Sequence, residues 1–225
     1  MLQAQFCSAA ALSLIFTELG NEPSSVGHVI AHKNITVGNE PRPLVVVAIR
    51  GTAHIFGWIT NIHAITASGN DDLGFNGAAN MVGANLKDYI DGRNLEDPIV
   101  LITGHSKGAS VSNVLADKLN RVEDAQLDIT PSNVYAYTFA TLNVSKKIST
   151  TYANIFNILN EHDFFVNLLP NWEKHGLDGI VSMDDMNRNN ILTSHQMSIY
   201  MNWMEAQDSE LTWVDLVNLL LIGGN

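Results

Sequence analysis

One run of seven residues, Thr103-Gly104-His105-Ser106-Lys107-Gly108-Ala109, constrains the fold more than any other feature of the chain. It holds a Gly-x-Ser-x-Gly directly after the apolar run Pro98-Ile99-Val100-Leu101-Ile102 and directly before a stretch with helical spacing. In that setting the pattern predicts a strand, a sharp turn and a helix, with the serine hydroxyl presented at the top of a sheet. Glycines at 104 and 108 suit a turn that presses strand and helix together, because larger side chains would not fit there. A five-residue pattern recurs by chance. Its weight here comes from the apolar strand before it and the amphipathic helix after it.

The rest of the chain alternates apolar runs with helical patterns, which predicts an α/β fold with a central, mostly parallel sheet and helices on both faces. Leu44 to Ile49 is six consecutive apolar residues and reads as a strand covered on both faces. Phe75, Ala78, Ala79, Val82, Leu86 and Ile90 follow helical spacing, as do Val111, Val114, Leu115, Leu119 and Val122 after the serine. Val134 to Phe139 and Asn154 to Leu159 read as strands, and Ile180 to Met183 as a short last one. His195 to Met204 and Leu211 to Ile222 read as helices, the second stopped by Gly223-Gly224. The serine turn therefore follows about the third strand. Without repeats, low-complexity tracts or a long linker, residues 1–225 read as one domain.

Composition narrows the chemistry. Apolar residues make up 46% and charged ones 16%, as in a chain that buries a core. Twelve basic against 23 acidic residues leave a net charge of −11, with no basic cluster, which argues against a nucleic-acid partner. Cys7 is the only cysteine, so neither a disulfide framework nor a thiolate metal site is expected. No His-Glu-x-x-His occurs and no Gly-rich phosphate loop follows a strand, so no metal and no cofactor are implied. No apolar run is long enough for a transmembrane segment. Phe6 to Phe16 has the length of a signal-peptide core, but no Lys or Arg precedes Lys33. A buried first helix is the preferred reading. That favours a cytoplasmic location, or a secreted one if a leader has been removed.

A serine hydroxyl is a poor nucleophile near neutral pH and needs an adjacent base, itself oriented by an acid. In sheets that carry such a turn the chain order is serine, acid, histidine. His28, His32, His54, His63 and His105 do not follow the serine, and His105, inside the turn, is given a packing role. His162, His175 and His195 follow it. The acid belongs in a loop at the end of a later strand, where Asn160-Glu161-His162-Asp163 offers Glu161 or Asp163. His162 adjoins Asp163 and would diverge from it. His175 and His195 remain, with position favouring His195, which follows Thr193-Ser194 at a helix start.

Read together, these segments resemble the class 3 lipases, the fungal-type branch of the alpha/beta hydrolases, from about residue 40 to about residue 205. Val45-Val46-Val47-Ala48-Ile49-Arg50-Gly51-Thr52 is similar to that family's strand ending in Arg-Gly-Thr or Arg-Gly-Ser, with Trp58 and Asn61 at the family's spacing. Leu73-Gly74-Phe75 resembles the Gly-Phe that opens its next helix. Thr103-Gly104-His105-Ser106 matches its elbow, and Tyr137-Thr138-Phe139-Ala140 its following strand end. Asn160-Glu161-His162-Asp163 with Leu168-Leu169-Pro170 resembles the stretch in which the family's Asp is catalytic. His175-Gly176 resembles a non-catalytic His-x-Gly, and Ser194-His195 the family's catalytic histidine. Two departures stand out. Lys107 with Gly108-Ala109 replaces an apolar residue and a Gly-Gly pair, as in a bacterial lipase-like branch, and Val166-Asn167 replaces Val-Pro.

The resemblance implies an alpha/beta hydrolase that cleaves lipid esters, at a lipid–water interface or otherwise, through an acyl-enzyme. Ser106 would be nucleophile, His195 base and Asp163 its orienting acid, with the backbone N–H groups of Lys107 and Thr52 as oxyanion hole. On its own residues Thr52 is a turn residue. The apolar segment after it, within 53–65, is either a mobile lid, as in the family, or a buried helix around Trp58. The opposing readings are a hydrolase-like binding or scaffold domain without turnover and, within the enzymes, a phospholipase or short-chain esterase.

Overall fold

The computed structural model describes residues 26–52, 74–121, 129–146, 148, 150–169, 171–183 and 192–207. The expected helices over Phe6–Phe16 and Leu211–Ile222, and the segment that follows Thr52, lie outside these residues.

Six strands form one sheet in simple sequential order: β1 (His28–Val37), β2 (Glu40–Ile49), β3 (Ile99–His105), β4 (Val134–Phe139), β5 (Ile155–Asn160) and β6 (Leu177–Val181). β1 and β2 are antiparallel and every later pair is parallel. Helix α1 (Phe75–Asp91) precedes β3, helix α2 (Lys107–Asn120) follows it, and helix α3 (Met197–Gln207) follows β6. This is the α/β arrangement that the residues predict, and it agrees with the alpha/beta hydrolase fold that the resemblance implies.

Several elements differ from the sequence reading. β1 was not anticipated, and β2 starts four residues earlier than Leu44. Val37 pairs with Glu40, so Gly38-Asn39 closes a two-residue hairpin, with Gly38 at φ 64°. Pro41 and Pro43 lie in β2 before its pairing with β3 begins at Leu44, so there the strand has β1 alone as neighbour and a missing N–H breaks no ladder. Nor is β2 covered equally on both faces. Val45, Val47 and Ile49 are buried, whereas Ala48 is exposed. The last strand runs Leu177–Val181 rather than Ile180–Met183; as an edge strand exposing Leu177 and Ile180 it lacks the alternation of a core strand, and Met183 is buried beyond its end.

The main core lies between the sheet and helices α1 and α2. All six anticipated α1 positions are buried, and they pack with Val45, Val47, Val100, Ile102, Val134, Ala136 and Ile155. Phe139 and Ile158 are paired across β4 and β5 and point away from Val134, Ala136 and Ile155. They pack instead with Tyr200 and Trp203 of α3, in a second core over the strand ends. Helices thus cover both faces, and the carboxyl ends of β3, β4 and β5 are enclosed between two cores.

Candidate active site

β3 ends in a turn that only small residues could form. Ser106 has φ 57° and ψ −124°, outside the regions open to most L-residues. Such a conformation costs on the order of 1–3 kcal/mol and persists where its surroundings enforce it. Here the enforcement is contact. A Cβ on Gly104 would lie 2.6 Å from the carbonyl of Gly108, and one on Gly108 would collide with the backbone of Ile49 and Arg50. Ser106 N–H donates to the carbonyl of Phe139 (3.0 Å), which ties the turn to the end of β4. The serine is buried, at 2% exposure, at the N-terminal end of α2.

The loop after β5 brings in the carboxylate. Asp163 N–H donates to the carbonyl of Asn160, and Asp163 Oδ1 accepts from the N–H of Phe165, capping the short turn Phe164–Asn167. The same loop is tied to the residue before His195, because Asn160 Nδ2 donates to the carbonyl of Ser194 (3.1 Å). His195 lies in the turn just before α3, which begins at Met197 rather than at 195 as the sequence pattern suggests.

Three side chains that lie far apart along the chain meet here. His195 Nδ1 is 2.7 Å from Asp163 Oδ2 and His195 Nε2 is 2.7 Å from Ser106 Oγ. Asp163 is 1% exposed and His195 5%. A carboxylate accepts and cannot donate, so the proton sits on Nδ1, which donates to Asp163. Nε2 then carries the lone pair and accepts from the serine hydroxyl. Phe165 packs its ring 4.6 Å from that of His195.

The rival residues go elsewhere. Glu161 is an exposed partner of His162, 3.3 Å away. His175 is buried with its Nδ1 3.4 Å from Asp117 Oδ1, a separation without hydrogen-bond geometry. Asp117 lies ten positions along α2 from Lys107, about 15 Å from the serine end of the helix. Burial lowers the pKa of His175.

The two expected oxyanion donors flank the turn. Ile49 pairs with Gly104 in the sheet, and Thr52 and Lys107 each come three residues after that pair. A Cβ on Gly51, next to Thr52, would lie 3.6 Å from Ser106 Cβ, so the end of β2 adjoins the serine. Lys107 is 8% exposed and its pKa is lowered by burial.

Two contributors escaped the sequence reading. His105 does more than pack: its Nε2–H donates to the backbone carbonyl of His195 (2.8 Å), with the rings 5.1 Å apart. Its pKa is lowered to about 4, first by burial and then by the charge that His195 can carry. Tyr200 is fully buried on α3, and its hydroxyl lies 3.0 Å from Asp163 Oδ2. Nothing local marks either role, since each depends on an element distant in sequence. Among the described residues, a cavity of about 670 Å³ lined by residues including Asn143, Thr151, Trp172, Lys174 and Asp178 shares no residue with this constellation.

Residues 46–173 match the model of the class 3 lipases. The chain belongs to the class 3 lipase family. Solved fungal lipases share its fold. A deletion mutant of the Rhizomucor miehei lipase propeptide complex superposes with a TM-score of 0.53 at 19% identity, covering 76% of this chain and 56% of that one. For the lipase of Rhizopus microsporus var. chinensis the values are 0.53, 16%, 83% and 72%. For the nonglycosylated LIP2 lipase of Yarrowia lipolytica they are 0.51, 17%, 82% and 70%. The chain thus spans little more than half the length of the Rhizomucor miehei propeptide complexes it matches. No curated protein sequence matches it.

Proposed function

We propose that this class 3 lipase family member is a serine carboxylic ester hydrolase acting on lipid esters through an acyl-enzyme. The observation that carries the reading is the imidazole of His195, held at 2.7 Å from both Ser106 Oγ and Asp163 Oδ2 on a strained strand-to-helix turn. As Ser106 Oγ attacks the ester carbonyl, its proton passes to His195 Nε2, and Asp163 stabilises the imidazolium that forms. The tetrahedral oxyanion is received by the backbone N–H groups of Lys107 and Thr52. Losing one such donor costs about 2.7–4 kcal/mol. His195 then protonates the leaving alcohol, and a water molecule repeats the sequence on the acyl-enzyme.

For the apolar segment within 53–65, which lies outside the described residues, the lid and buried-helix readings make opposite predictions. Rate measured against substrate concentration across the solubility limit separates them. A jump at the limit supports the lid, and a smooth saturation curve removes it.

Labelling with a fluorophosphonate, in which Ser106 Oγ bonds to phosphorus and fluoride leaves, tests the enzyme reading without knowledge of the natural ester. Wild type is expected to label and Ser106→Ala is not. Absence of labelling in both would leave a binding or scaffold domain. A hydrolysis panel over acyl chain length then separates lipase from phospholipase and short-chain esterase.

A further inference from the structure

The hydroxyl of Tyr200 has two neighbours, and their chemistry fixes its direction. The backbone N–H of Asn160, 3.1 Å away, can only donate to it. Asp163 Oδ2, at 3.0 Å, can only accept while ionised. The tyrosine therefore takes a hydrogen bond from the end of β5 and gives its own proton to the oxygen that also holds His195 Nδ1–H. Oδ1 of the same carboxylate takes the N–H of Phe165, so three donors share one buried charge.

From this sharing we infer that Tyr200 is a positioning residue that sets the lower pH limit of the reaction, acting through Asp163. This deepens the hydrolase reading and rests on it. A hydrogen bond to a charged group is among the stronger ones in a protein. Density drawn towards the phenol is withdrawn from the bond to His195, so the carboxylate holds the imidazolium less tightly. Removing the phenol would return that density to the bond with His195, and the difference between the two proteins is read on the acid limb of the profile. A fully buried aromatic residue could fill this space as phenylalanine; the hydroxyl is present because it has both a donor and an acceptor to satisfy. Burial and the charge of Asp163 push the phenol's pKa up, so it remains a donor throughout the working range. Among the described residues, the other titratable groups facing this carboxylate are His195 itself, His105 beyond it on the serine turn, and Lys174, whose charge reaches Asp163 from the segment before β6.

The test is the rate of fluorophosphonate labelling of the whole chain between about pH 4 and pH 9, for wild type, Tyr200→Phe and a variant with 3-fluorotyrosine placed at position 200 alone. Tyr200→Phe is expected to move the acid limb of the profile up by about half a unit to one unit, roughly a three- to tenfold loss of rate on that limb. Fluorotyrosine, a stronger donor of the same shape, is expected to move it down by a smaller amount. Opposite displacements cannot come from a packing defect, which would lower the plateau and leave the limb in place. If both limbs stay where the wild type has them, or both move the same way, the inference is overturned while the hydrolase reading stands. Should Tyr200→Phe fail to fold, the fluorotyrosine profile decides alone, a downward move supporting the inference and an unmoved limb overturning it. A wild type that does not label at all overturns both readings.

Discussion

A buried histidine–carboxylate pair lies near each end of helix α2, and the two pairs are built differently. At the N-terminal end His195 is bonded through both ring nitrogens, to Asp163 and to Ser106, and Asp163 has no cation bonded to it among the described residues. At the C-terminal end His175 stands 3.4 Å from Asp117 and its Nδ1 makes no hydrogen bond. The Asp117 carboxylate is instead gripped by both Nε and Nη2 of Arg121. Burial and proximity are common to both. What distinguishes them is competition: a carboxylate already neutralised by a guanidinium has little to offer an imidazole. A buried His beside an Asp is therefore no site by itself; a third partner and a carboxylate without a bonded cation are needed.

Exchanging one member of each pair should break this contrast most sharply. Ser106→Ala is expected to lower ester hydrolysis about 10⁵–10⁶-fold and Asp163→Asn about 10⁴-fold, the scale known for serine proteases with the same three-residue relay. His175→Gln should stay within about threefold of wild type. Rates on a soluble chromogenic ester check all three. A His175 variant as damaged as Asp163→Asn would mean that the wrong pair has been chosen.

The N-terminal end is also the strained one, and its cost can be measured. In Gly108→Ala the new methyl group meets the carbonyl of Ile49 and the backbone of Arg50, neither of which can rotate away. We expect a loss of about 3–5 kcal/mol in unfolding free energy, or no folded protein. Urea denaturation measures it. A variant as stable as wild type would show that the close approach of α2 to β2 is not needed to hold the turn.

The same contrast explains what could be read from residues alone. The serine turn was legible because its causes are local: an apolar run, then small residues where a strand meets a helix. α1 was legible because its buried side recurs at helical spacing. β1 and the start of β2 were not, because a search for apolar runs passes over an edge strand carrying His28, His32, Lys33 and Asn34, and reads Pro41 and Pro43 as loop. A usable signal lay in Gly38-Asn39, a two-residue hairpin turn. The acid and the base stood as pairs of alternatives on the residues alone, Glu161 or Asp163 and His175 or His195, until the family pattern was applied. Position along the chain cannot say which carboxylate is buried or which imidazole has a hydroxyl behind it. His105 and Tyr200 carried no local mark, since their partners arrive only when three strand ends and α3 come together.

Acid stability sharpens the comparison further. The pKa of His105 falls from its ordinary 6.5 to about 4 in the folded chain, so on acidification the unfolded chain takes up the proton first. Its contribution to stability is full above pH 6.5 and is lost as pH falls towards 4. His105→Gln keeps a donor for the carbonyl of His195 and removes the titration. The difference in unfolding free energy between pH 7 and pH 4.5 should shrink by about 2 kcal/mol relative to wild type. His175 is displaced in the same direction, so His175→Gln should also flatten the acid side, without slowing hydrolysis. Denaturation at the two pH values checks both, and an unchanged slope for His105→Gln would show that its burial does not oppose protonation.

The smallest effect concerns the carboxylate that the sequence could not separate from Asp163. Glu161 lies two residues away in the same loop, but its side chain is 44% exposed and meets His162 at 3.3 Å. Exposed pairs of this kind contribute about 0–1 kcal/mol, and water screens their charge from buried groups nearby. Glu161→Gln should therefore leave fluorophosphonate labelling within about twofold of wild type. Asp163→Glu makes the informative partner. It retains the charge but lengthens the side chain by one methylene in a position where Oδ1 caps Phe165 and Oδ2 meets two donors, so labelling should fall far more than in Glu161→Gln. Were the glutamine variant the slower of the two, the loop would have to place the wrong carboxylate against His195. The division between a committed and an uncommitted acid would then fail at its nearest point of comparison.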